Sequence, residues 1–104
     1  MDNKPWSEQY RLAGEDWADK EAAAQLLEDT KSAFLAQKMA EYGDIPVNRA
    51  EQKVKSSPMW DAHVRKIVEA RKIANVAKVH LEAMRMRYNE WNNEEANRRT
   101  EARL

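Results

Sequence analysis

The 104-residue chain has no cysteine, only two glycines and three prolines, and no apolar run approaching the roughly 18–20 residues that cross a bilayer. Each shortage removes a class of function. Without cysteine there are no disulfides, no thiolate metal sites and no cysteine nucleophiles. With Gly14 and Gly43 alone there is no glycine-rich loop to cradle a phosphate. The opening Met1-Asp2-Asn3-Lys4-Pro5-Trp6 carries no apolar core of the secretory kind, so a cytoplasmic protein without a membrane partner is expected.

What remains is helix-forming. Hydrophobic residues make up 42% and charged residues 35% of the chain. A net charge of zero hides an asymmetry: residues 1–52 hold 6 Lys/Arg against 11 Asp/Glu (−5), and residues 53–104 hold 12 against 7 (+5). An acidic half followed by a basic half favours the two lying side by side, within a chain or between chains.

Local signals place three helices in a single helical domain, 1–104. Pro5 suits a first helical position, capped by Asn3 or Lys4, and nothing from there to residue 42 forbids helix except Gly14. Gly43 reads as a left-handed cap, and Ile45-Pro46 keeps the following turn extended. Asn48 with Glu51 suggests a capping box opening a short helix over 49–56. Ser57-Pro58 restarts a helix that runs to about residue 99, followed by a polar, frayed C-terminus. The fold class is therefore all-α: a long antiparallel helical hairpin with a short connecting helix, coiled-coil-like, and expected as a dimeric bundle.

The last helix carries the clearest pattern. Trp60, Ile67, Ala74, Leu81 and Tyr88 share one heptad position, and His63, Ala70, Ala77, Met84 and Trp91 share another. A second apolar set, Val68, Val76, Val79, Ala83 and Met86, lies off this seam. One partner helix cannot cover both, so the expected oligomer interface comprises Trp60, Ile67, Val68, Ala70, Ala74, Val76, Ala77, Val79, Leu81, Met84 and Met86.

Polar residues give less chemistry. His63 and His80 lack a neighbouring ligand at helical spacing and read as packing or solvated histidines. The acids Glu15, Asp16, Asp19, Glu28 and Asp29 read as a solvated face, so neither metal nor cofactor is expected and the chain reads as non-enzymatic. The four tryptophans, Trp6, Trp17, Trp60 and Trp91, fall at apolar helical positions and suit a core or interface. Tyr88 and Trp91 beside Arg85 and Arg87 are the best candidates for a base-stacking platform. The strongest polar signal is the basic set Arg65, Lys66, Arg71, Lys72, Lys78, Arg85 and Arg87. It either pairs with the acidic first helix or contacts a nucleic-acid backbone directly.

The segments Lys4 to Arg11, Leu26 to Ala33 and Arg49 to Ser57, continued by Trp60 and by Arg71 to Tyr88, resemble small helical proteins of tailed bacteriophages and prophages encoded near single-strand annealing recombination genes. That resemblance implies a bacterial host cell and an accessory role beside a DNA recombination or replication partner, and it assigns no residue a role. The secreted helical hairpins with a Trp-x-Gly turn share only the outline. Here the turn is Tyr42-Gly43-Asp44-Ile45-Pro46, and Asn92 stands four residues after Tyr88 where their signature has an acid.

Overall fold

In the computed structural model, which describes residues 4–103, the chain forms α1 (Trp6–Asp29), α2 (Lys31–Ala40), α3 (Val47–Lys55) and α4 (Pro58–Arg103). Helix α1 opens one residue later than the proline signal suggests. Pro5 is the capping residue, with ψ 154°, and its carbonyl accepts the Gln9 N–H at 3.0 Å. The alternative cap, Asn3, lies outside the described residues.

The single helix expected over 5–42 is divided at Thr30. Its hydroxyl donates to the Leu26 carbonyl at 2.8 Å and stands 3.3 Å from that of Leu27, with φ −90° and ψ −1°. A threonine hydroxyl bonding back onto the preceding turn bends a helix. As a result α1 runs along α4 while α2 turns toward α3.

Gly43 adopts φ +71°, as its place after the helix end requires. The capping box is replaced by a different start. Pro46 holds ψ 143° and its carbonyl receives the Arg49 and Ala50 N–H groups at 3.0 Å, so α3 begins at Val47. Asn48 Oδ1 accepts from Arg49 N instead, and Glu51 pairs with Lys55 at 2.7 Å. Ser57 does cap α4, accepting the Trp60 N–H at 3.2 Å while its own hydroxyl donates to the Val54 carbonyl at 2.6 Å. Helix α4 does not end near 99 but continues to Arg103, because no Gly or Pro interrupts it.

Cross-helix contacts fix the pairing as antiparallel. Tyr10 meets Tyr88 (ring centroids 5.9 Å apart), Arg71 reaches Glu21 and Glu28, and Phe34 stacks on His63 at 3.9 Å. Where α1 and α4 run together most of the buried residues are small: Ala13 and Ala24 face a seam in which Ala74 and Ala77 stand between Ile67 and Met84. Aromatic rings stand at both ends, with Phe34, Trp60 and His63 filling the wedge opened by the bend at Thr30.

The result is an elongated hairpin. It measures 83 × 24 × 16 Å with a radius of gyration of 23.1 Å, against about 13 Å for a compact domain of this length. Two helices side by side cannot enclose much. Alanine supplies five of the eight buried hydrophobic residues, Ala13, Ala24, Ala50, Ala74 and Ala77, and none of the larger side chains among the described residues is fully enclosed.

Candidate interaction surface on the long helix

Helix α4 turns about 100° per residue, so each of its positions has a definite bearing. Trp60, Ile67, Ala70, Ala74, Ala77, Leu81 and Met84 are buried or half-buried within the hairpin. Within the single chain, these members of the expected oligomer interface pack against its own first half. Val68, Val76, Val79 and Met86 are 62%, 61%, 69% and 60% exposed. With Lys72 and Ala83 they occupy about a quarter of the helix circumference, directly across from the buried seam. Val68, Lys72, Asn75, Val76 and Val79, with Arg71 at the margin, outline a shallow apolar groove.

The basic set is dispersed. Arg71 is committed within the hairpin: Nε and Nη2 donate to the two Glu28 oxygens at 2.8 and 3.0 Å, and Nη1 donates to Glu21 at 2.5 and 2.9 Å. The bidentate hydrogen bond from Arg71 holds the Glu28 carboxyl below its usual range, and the same bonds raise the guanidinium further above its own. Arg65 pairs with Asp61 at 2.8 Å, and the Arg87 guanidinium lies 5.7 Å from the centre of the Trp6 ring. Lys66, Lys72, Lys78 and Arg85 are exposed. Together with Arg87 they spread over about two thirds of the circumference, interleaved with Glu69, Glu82 and Glu90.

The stacking candidates fare differently from each other. Tyr88 is half-buried between Tyr10 and Trp91, whereas Trp91 is 42% exposed because α1 begins opposite it and offers nothing beyond. Trp6, Trp17 and Trp60 are each half-buried at helix contacts. His80 is exposed, and His63 lies flat on Phe34 (interplanar angle 9°) with Nε2 buried and unpartnered.

Six of the seven acids of α1, all but Asp19, are engaged locally or across the hairpin. Glu8 and Glu15 flank Arg11, which donates to both; its hydrogen bond holds Glu8 below the usual carboxylate range. Asp16 pairs with Lys20 at 3.5 Å, and Asp29 accepts from Gln25 at 2.9 Å. No group of three His, Asp or Glu side chains among the described residues is arranged to hold a metal ion. No helix among them is long and apolar enough to cross a membrane.

Sequence reasoning identified both apolar stripes but not their division of labour. It missed the fork formed by Glu21, Glu28 and Arg71. The available signal was that Glu21 and Glu28 stand one heptad apart, on one face of α1, with the single cation between them supplied by the other helix. No protein-family model, no curated protein and no solved structure matches the chain. The arrangement therefore defines its class by geometry alone: an all-α antiparallel hairpin whose longest helix is apolar on two opposite sides.

Proposed function

We propose that this is a non-enzymatic helical interaction protein whose working surface is the outer face of α4. The observation that carries the reading is the exposure of Val68, Val76, Val79 and Met86 in one stripe, on a rigid helix already held from behind by α1. Isolated apolar residues on a surface are ordinary, whereas a contiguous row opposite a packed seam is the form of a helix-docking site.

The fork at Arg71 and the dispersal of the other cations favour this reading over direct nucleic-acid binding. A polyanion is best gripped by cations on one face, and here carboxylates stand among them. The context of DNA recombination or replication comes from the resemblance to phage helical proteins and is part of the proposal.

Site-specific photo-crosslinking tests it. A photoreactive side chain at position 79, on the stripe, is compared in cells with one at position 97, on the polar end of α4. Capture of a discrete polypeptide at 79 but not at 97 supports the reading, and its identification as a recombination or replication protein supports the context. Equal or absent labelling at the two positions overturns the interaction surface.

A further inference from the structure

The order of residues along the exposed stripe is self-complementary. We propose that its occupant is a second copy of this chain, lying antiparallel on α4 with the two-fold axis between residues 77 and 78. This rests on the interaction reading above and deepens it by naming the partner and the register.

About that axis Val76 of one copy stands level with Val79 of the other, and Lys72 stands level with Ala83, a long stem over a small side chain. Val68 falls within one residue of Met86. The flanking charges alternate in the same sense. Arg65 comes level with Glu90, Glu69 within one residue of Arg87, and Glu82 within one residue of Lys72. Residues on the same flank of an antiparallel helix pair face each other, as Glu69 and Arg87 do, and Arg65 and Glu90 continue the line of the stripe at its two ends.

Glu69, Glu82 and Glu90 have no ion-pair partner among the described residues of the hairpin, and Arg65 holds only Asp61 from a largely exposed position. These charges are free to pair across such an interface. A parallel arrangement loses both matches, bringing Val68 onto Val68 and each charge beside its own copy. Lys78, level with the axis, shares its bearing with Arg71 on the hairpin side and stands clear of the stripe.

The absence of cysteine makes the register directly measurable. Val79→Cys replaces a side chain that is 69% exposed and so leaves the hairpin intact. Across the proposed axis two such thiols are offset by about 5 Å along the helix, whereas two at Met86→Cys are ~26 Å apart.

The expected result is a pure protein that sediments at twice the chain mass and is joined efficiently by a short thiol-to-thiol reagent at Val79→Cys but not at Met86→Cys. Val68→Cys and Met86→Cys chains, mixed, are joined to each other. Arg65→Glu weakens dimerisation about tenfold, and adding Glu90→Arg restores it.

Equal joining at 79 and 86, or a charge pair that fails to rescue, overturns the register. A monomer at all accessible concentrations, unjoined at every position, overturns self-pairing. In that last case, photo-capture of a different polypeptide at position 79 leaves the interaction surface itself standing, whereas no capture there removes both.

Discussion

Gly14 offers a sharp test of how closely α1 and α4 approach. It sits inside α1, where glycine costs about 0.8–1 kcal/mol relative to alanine because more backbone freedom is lost on ordering. A Cβ added there meets Leu81 Cδ1 at 3.7 Å, an ordinary van der Waals contact, and nothing nearer. The added methyl therefore has room, and contact with Leu81 contributes a fraction of the ~0.8 kcal/mol assigned to a fully buried methylene. Gly14→Ala is expected to stabilise the protein by about 1 kcal/mol, raising Tm by about 4–8 °C. Thermal unfolding followed by far-ultraviolet circular dichroism, at one fixed protein concentration, reads the change. A lowered Tm would refute the reasoning, since it would mean that the helices at 14 and 81 stand closer than 3.7 Å allows.

Three other substitutions probe different forces. Gly43→Ala acts in the opposite sense: nothing lies within 4 Å of its Cβ, yet φ is +71°, so the cost is backbone strain of about 1–2 kcal/mol, and Gly43→Asn loses less in the same unfolding assay. His63→Phe keeps the stack on Phe34 while removing the buried, unpartnered Nε2, and is expected to stabilise by about 1 kcal/mol; destabilisation would reveal a partner for that nitrogen. Arg71→Met leaves Glu21 and Glu28 without their shared cation and lowers Tm at neutral pH. Because the Arg71 hydrogen bond depresses Glu28, its contribution is present above the ordinary carboxylate range and fades as pH falls through the lowered value. The Tm difference between wild type and Arg71→Met should therefore narrow on acidification; a constant difference would show that the arginine acts through its alkyl stem.

How much of this was legible depended on whether a feature is local. The heptad positions from Trp60 to Trp91 are visible because one uninterrupted helix repeats them, and the cap at Ser57-Pro58 is visible because both hydrogen-bond partners lie within three residues. The bend at Thr30 was not, since a threonine in a helix turns its hydroxyl either outward or back onto the preceding carbonyl and spacing does not distinguish the two. The capping box failed for a similar reason: Pro46 had already supplied an extended residue and a free carbonyl two positions earlier. Register lay further out of reach. Two apolar stripes on α4 can be counted, but which of them α1 covers depends on the close approach that Ala70, Ala74 and Ala77 allow, and the fate of Arg71 follows only once Glu21 and Glu28 are set beside it.

Because α4 carries both stripes, the hairpin seam and the proposed dimer seam share one backbone while remaining on opposite sides of it. Their energies are consequently separable by mass action. A bond inside the hairpin stabilises each chain equally at every concentration, whereas a contact between copies makes Tm rise with protein concentration. Gly14→Ala lies on the α1 side and is expected to raise Tm by the same amount at low and high concentration, leaving the slope unchanged. Val79→Lys lies on the outer side, 69% exposed in the single hairpin, and is expected to flatten the slope while leaving Tm at the lowest concentration near that of the wild type. If Val79→Lys instead lowered Tm equally at all concentrations, the outer stripe would be contributing to the fold of one chain, and neither an interaction surface nor a second copy would be needed to explain it.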